Sequence, residues 1–216
     1  NTDVVVEYAY KQNGAGFVWS NNANMSLTDR RSVTLKWRHS FIKLPDNDYV
    51  ARADDPRVGY FGIRGENMTS KGDFTPYNDM INRWHLVKQD PNAALSDPVE
   101  PIHWWIENTT PVEYREGIKQ GVLAWNKAFE AAGFSNAMKV SVQPDDAEWD
   151  AGDIRYNVIR WTSSPQPFFG GYGPSFGDPR TGQLLGADIM LEYASVVNRA
   201  RYKAIYGDMA SFAFDD

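Results

Sequence analysis

The chain has 216 residues, a net charge of −6, 42% hydrophobic and 23% charged residues, and no cysteine. That balance predicts a packed core in one large or two small domains. The acidic charge, with a pI near 5.1, opposes nucleic acid and anionic membrane surfaces, which need a basic face, and the missing thiols exclude disulfide scaffolds, cysteine–zinc sites and thiol catalysis within this chain.

In chain order, the first 75 residues read as β-rich. Val4, Val6, Tyr8 and Tyr10 alternate with Asp3, Glu7 and Ala9, and Val33, Leu35, Trp37 and Phe41 alternate with Thr34, Lys36, Arg38 and Ser40. Period two with β-branched and aromatic enrichment predicts half-buried strands. Gly14 to Gly16 and Leu44 to Asp48 supply the breaks, and Tyr49–Ala53 and Val58–Ile63 are expected as further strands. Residues 76–101 form a proline-rich connection with Pro76, Pro91, Pro98 and Pro101, interrupted by the apolar piece Arg83 to Val87. A long connection of this kind predicts a domain boundary.

The period then changes. Ile102 to Glu107 reads as a short strand, followed by one continuous helix over residues 111–132. Thr110 is the expected N-cap, Pro111 the first helical position, and Glu113 the partner in a capping box. Tyr114, Ile118, Val122, Trp125 and Phe129 recur at helical spacing, and Gly133 supplies a left-handed stop. Gly117 and Gly121 cost the helix about 1 kcal/mol each relative to alanine, a cost expected to reflect close packing on the sheet. Strands are expected at Met138–Gln143, Asp153–Trp161, Gly170–Phe176 and Leu184–Leu191, and Val196 to Tyr206 starts a further helix. The chain as a whole reads as α+β: a β-rich region (1–75), the connection (76–101), a mixed twisted sheet with one long packed helix (102–192), and the start of a following segment (193–216).

An Asp-Pro-Arg-x-Gly string occurs twice, at Asp55 to Gly59 and Asp178 to Gly182. The flanks share no register, which opposes an internal repeat. Asp accepts backbone hydrogen bonds, Pro pre-sets φ and Gly closes a left-handed corner, so both read as hairpin turns.

Chemistry-bearing motifs are sparse. Zinc hydrolysis normally uses His-Glu-x-x-His on one helix face, yet His39, His85 and His103 are the only histidines, none precedes Glu, and no two share helical spacing. Each reads as a hydrogen-bonded structural histidine. The acidic run Asp145 to Asp153 fails the EF-hand spacing, because its glycine falls one place late and Asn157 stands where the bidentate Glu belongs. It reads as a solvated loop, with a nonstandard calcium site as the alternative. A Gly-x-Ser-x-Gly elbow and a phosphate loop are both missing. Asn24, Asn67 and Asn108 are glycosylation acceptors only in a eukaryotic secretory setting.

The strings DPRVGYF, RWHLVKQDPNAALSDPVEPIHWWIE, GIKQGVLAWNKAFEAAGF, DIRYNVIRW and YGPSFGDPRTGQLLGADIMLE resemble, in order, a family of large exported bacterial zinc-dependent metalloproteases. Their catalytic domain is metzincin-like and follows β-rich domains of unknown function. The resemblance implies that residues 102–192 are the upper catalytic subdomain: strand, helix, strand, strand, antiparallel edge strand, strand, then the helix that bears the zinc-binding histidines. Gly171, Tyr172, Gly173, Pro174, Ser175 and Phe176 would be the cleft-edge strand, pairing its backbone with an extended peptide. The family's His-Glu-x-x-His helix should follow Leu191 and is absent, so no catalytic or metal residue transfers to this chain. The implied chain is a fragment of a zinc metalloendopeptidase, inactive by itself and binding no zinc. Zinc belongs to the full-length protein, as do a peptide or protein substrate and the missing C-terminal catalytic portion as partners. Export is implied by the family alone, since NTDVVVEYAY lacks a signal peptide's regions, no apolar run spans a bilayer, and both ends read as cut. Two rivals stand: an aromatic-rich β module for polysaccharide or peptide, using an exposed row among Trp37, Tyr49, Tyr60, Trp84 and Trp161, and a degenerate protease-like scaffold.

Overall fold

The computed structural model describes residues 2–11, 32–69, 72, 77–164, 167 and 169–207. It is an α+β protein in two compact units, residues 1–46 and 47–216. The stretch 76–101 lies within the second unit.

The alternation near the start becomes a two-stranded antiparallel ribbon. Strand β1 (Thr2–Lys11) pairs with β2 (Ser32–Phe41) from Thr2 opposite Phe41 to Lys11 opposite Ser32. Period two then sorts the side chains: Val4, Val6, Tyr8 and Tyr10 share a face with Val33, Leu35 and Trp37, while Glu7 meets Lys36 on the other face at 4.0 Å. The glycine break expected at Gly14 to Gly16 lies outside the described residues.

The second unit opens with little regular strand. Of the two strands expected around the first Asp-Pro-Arg-x-Gly string, only the isolated pairing of Ala53 with Met80 and the two residues of β3 (Gly62–Ile63) form, against β4 (Met80–Ile81). The string is a turn, with Val58 N–H donating to Asp55 C=O at 2.9 Å. It is not the expected hairpin loop: both flanks bond to the β4 segment, through Ile81 N to Arg52 O at 3.0 Å and Asn82 N to Phe61 O at 2.7 Å. Gly59 is also outside the left-handed region.

The main sheet joins β5 (Ile102–Ile106), β6 (Met138–Val142), β7 (Asn157–Thr162), β8 (Gly171–Tyr172), β9 (Ser175–Gly177) and β10 (Leu184–Glu192). The path is β6-β5-β7-β10-β8, with β9 also paired to β10. Strands β6, β5, β7 and β10 are mutually parallel, and β8 and β9 run antiparallel to β10. Strand β7 starts later than expected, because Asp153 to Tyr156 is a turn. The Asp153 carboxylate accepts from the Arg155 backbone N–H at 3.0 Å and holds its guanidinium through Nη2 at 2.5 Å.

The single expected helix is two. Helix α1 (Val112–Leu123) and α2 (Asn126–Ala131) are separated at Ala124 and Trp125. Pro111 is the residue at the N-terminal boundary, and Thr110 makes no capping bond; its buried Oγ1 has no partner. Arg115 takes over the neighbouring carbonyls, donating Nε to Thr110 O at 2.8 Å and Nη2 to Asn108 O at 2.7 Å. The C-terminal stop is as expected: Gly133 has φ +89, Phe134 N–H reaches Phe129 C=O at 2.9 Å, and Gly133 N–H reaches Glu130 C=O at 2.9 Å, the Schellman pair. Gly117 and Gly121 do not pack on the sheet; a Cβ at either would meet nothing within 4 Å. Ile118, Val122 and Phe129 do pack against the buried Ile102, Trp104 and Ile159. Helix α3 (Tyr193–Tyr206) leaves β10 directly, three residues earlier than expected.

The second Asp-Pro-Arg-x-Gly string is the hairpin loop between β9 and β10. Gly182 N–H donates to Asp178 C=O at 2.8 Å and Asp178 N–H to Gln183 C=O at 2.8 Å. Gly182 has φ +77, and a Cβ there would run into the carbonyl oxygen of Ile81. Both conditions exclude a side chain. Gly182→Ala is therefore expected to cost roughly 2–4 kcal/mol, from left-handed strain and backbone displacement together. Urea unfolding measures it; an unchanged midpoint would show that the turn relaxes freely.

Candidate functional site

Strand β8 is the last strand on the sheet path, and its pairing is short: Gly171 opposite Leu191 and Tyr172 opposite Met190. The chain then loops through Gly173 and Pro174, where Pro174 C=O accepts from Asp188 N–H at 3.0 Å, and re-pairs at Ser175 and Phe176. The structure thus divides the expected edge strand in two but keeps Gly171 to Phe176 along one margin of β10. Gly171, Tyr172 and Gly173 are exposed, and among the described residues no strand pairs with the outer side of β8. A Cβ at Gly171 or Gly173 would make only ordinary contacts, the nearest at 3.5 and 3.8 Å. Packing against β10 therefore does not account for these glycines, and they leave the outward backbone accessible.

The end of β10 is held by Glu192, whose side chain is fully buried. Its carboxylate accepts from Ser164 N–H and Oγ at 2.9 Å each, from Thr162 Oγ1 at 3.2 Å, and from Ala194 N–H at 3.4 Å as the cap of α3. Its own N–H donates to Gly170 C=O at 3.2 Å, just before β8. One residue thereby ties β7, β10, the entry to β8 and the start of α3. Sequence reasoning missed it, since an acidic residue ending an apolar strand gives no separate signal. Burial pushes this carboxyl upward, but the bonds from Ser164, Ala194 and Thr162 outweigh it and hold the pKa below the ordinary glutamate value.

His39 lies on β2; in the second unit His85 Nε2 meets Asp48 Oδ1 at 3.0 Å, and His103 Nε2 meets Ser141 Oγ at 2.9 Å. Burial, then the nearby Lys139 charge, lowers the His103 pKa and favours neutral imidazole. Among the described residues no three His, Asp or Glu side chains converge as metal ligands. In the acidic loop, Asp150 and Asp153 accept backbone bonds from Gly152 and Arg155.

Of the five aromatic side chains weighed for a binding face, Tyr49 and Trp161 are engaged by neighbouring side chains. Tyr49 is buried under the Arg83 guanidinium, 4.7 Å from its ring centroid, and Trp161 stacks on Tyr114 at 5.1 Å. Trp84 lines an open apolar groove of about 540 Å³ between α1–α2 and the sheet, whose walls include Ile118, Val122, Trp125, Ile189 and Leu191. Tyr60 is exposed, as is Trp37 on the ribbon. No described helix is long and apolar enough to cross a membrane.

A family model described as a domain of unknown function (DUF5117) matches residues 1–89. It covers the ribbon and the segment through β3 and β4, and stops before β5. No curated protein and no solved structure matches the chain.

The Glu192 network has a pH signature. A folded pKa below the unfolded value of about 4.3 gives stability that is present above that value and lost as pH falls through the folded one. Asp178 acts in the same direction, lowered chiefly by its Arg180 hydrogen bonds. Asp188, raised by burial, acts in the opposite one. Glu192→Gln is expected to lower stability at neutral pH by about 1–3 kcal/mol and to flatten the acid limb of the stability profile. Urea titrations across that limb check this; a variant as steep as the parent would count against the network.

Proposed function

We propose that the chain is part of an exported zinc-dependent metalloendopeptidase: a β-rich region followed by the upper half of the catalytic domain, without the zinc-binding helix. The observation that carries this reading is the sheet itself. Four parallel strands end in an antiparallel margin at β8 and β9, with a helix pair between the first two strands and another helix after the last. That is the order which the sequence resemblance implies. The margin's open backbone at Gly171 to Gly173 suits an extended peptide adding as one more strand, through main-chain hydrogen bonds with little side-chain selection.

Helix α3 stands where the resemblance puts the metal-binding helix, yet Tyr193 to Tyr206 contains no histidine. That supports a second reading, a protease-like scaffold that binds without cleaving. In either reading no catalytic or metal-binding residue of the family transfers to a position of this chain.

Two measurements test the proposal. Metal analysis of the purified chain after dialysis is expected to find zinc well below one equivalent, and a longer polypeptide continuing into a His-Glu-x-x-His segment is expected to hold one. Stoichiometric zinc on the present chain would overturn the assignment, and a continuation lacking that segment would favour the scaffold. In addition, an extended peptide should bind along β8. N-methylation of the two amides facing the strand should weaken it about 10-fold or more, whereas reshuffled side chains should bind nearly as well.

A further inference from the structure

The margin at β8 carries a single side chain between two glycines, and its backbone pattern divides the work among them. The carbonyls of Gly170 and Pro174 accept from Glu192 and Asp188 N–H at 3.2 and 3.0 Å. Backbone groups alternate in direction along an antiparallel pair. Tyr172, opposite Met190, therefore also turns its N–H and C=O toward β10, and those of Gly171 and Gly173 turn outward. A strand added at this margin bonds to the two glycines and lies across from Tyr172.

The face on which Tyr172 stands follows from its partner. Ile189 and Leu191 line the groove under α1–α2, so Met190 and Tyr172 lie on the opposite face of the sheet. Tyr172 is 57% exposed, and its ring lies 6.4 Å from that of Phe169. Continuing inward, the same row runs from Met190 to Arg160 on β7, whose Nε is 3.9 Å from Glu107 Oε1. That matched charge is three strand spacings, about 14 Å, from the backbone of an added peptide. Asp188, also on this face, turns its carboxylate onto Val158 N–H at 3.2 Å. What meets the incoming strand is an aromatic ring backed by a thioether, with no charge beside it.

We propose that Tyr172 is the selecting residue of this margin: it favours an aromatic or β-branched side chain on the peptide residue opposite it, while Gly171 and Gly173 hold the peptide backbone. The inference rests on strand addition at β8. An antiparallel peptide is the more stable partner, and its residue opposite Tyr172 forms the non-hydrogen-bonded kind of pair, in which side chains stand closest. Aromatic rings pair best there with other aromatics and with β-branched residues. Peptide residues opposite Gly171 and Gly173 meet no side chain of β8, so selection is confined to one position. Its size is about 2–5-fold, small beside the contribution of the main-chain bonds. The ligand is thus an extended segment with one aromatic or β-branched residue and no charge requirement at that place.

Fluorescence anisotropy tests this with a short extended host peptide that carries Phe, Val, Ala or Asp at each position in turn. At one position the Phe and Val guests should bind about 2–5-fold tighter than Ala. Tyr172→Phe keeps the ring and should keep that ratio, whereas Tyr172→Ala should bring it to one, with the circular dichroism of both variants matching the parent. A general loosening of the margin would shift all guests alike and leave the ratio unchanged. Equal affinity for every guest overturns selection by Tyr172 and leaves strand addition standing. A preference that survives Tyr172→Ala overturns it equally. If no host peptide binds, strand addition at β8 fails, and the selection with it.

Discussion

The buried carboxylate of Glu192 is the point on which the second unit turns. Sinking a charge into the end of a sheet is costly unless its hydrogen-bonding capacity is met, and here four donors meet it. Two come from Ser164, just after β7, one from Thr162, the last residue of β7, and one from Ala194 in α3. The consequence is geometric. Parallel neighbours β7 and β10 have no tight turn between them to set their register, and a shared anion at their carboxyl ends sets it instead. The chain enters β8 from a carbonyl bonded to the same residue, so the position of the open margin follows from the same anchor.

Much of this was legible in the residues. Alternation in Val4 to Tyr10 and Val33 to Phe41 specified two strands with one apolar face each, but the half-burial expected of that face is not met: Tyr10, Trp37 and Phe41 stand exposed on the ribbon. Gly133 marked the end of the helical segment, since its left-handed φ is accessible mainly to glycine. Where the reading failed, local chemistry competed with the pattern. Asp153 and Arg155 were absorbed into a strand by the apolar residues after them, although Asp-x-Arg closes the same side-chain-to-backbone turn as at Asp55 and Asp178. The break at Ala124 and Trp125 left the apolar spacing intact and so gave no periodic signal. Thr110 satisfied the composition of a cap, but burial and the Arg115 guanidinium settled that helix end another way.

The candidate site was legible only in part. The family resemblance implied an edge strand at Gly171 to Phe176, and β8 stands at the margin of the sheet. The two-part pairing, with a loop at Gly173 and Pro174, depends on β10 being longer than either partner, which no local motif encodes. The groove was invisible for a different reason. Ile118, Val122, Trp125 and Phe129 have the spacing of a helix face packed on a sheet, and spacing cannot say how far the helix stands from that sheet.

The three Asp-x-Arg turns also bear on how the protein reaches its fold. Each carboxylate bonds a backbone N–H and a guanidinium only two residues away, so its closure entropy is small. Asp178 and Arg180 therefore let β9 and β10 meet early as a local antiparallel unit. The parallel pairing of β10 with β7 links residues 30 apart, as in Val158 opposite Asp188, and must search a much larger loop. The docking of β10 onto β7 is then expected to follow the closure of the β9–β10 hairpin, as is the still longer-range pairing of β5 with β7. Until it docks, the apolar inner face of β10 stays open to other chains, an aggregation hazard during folding.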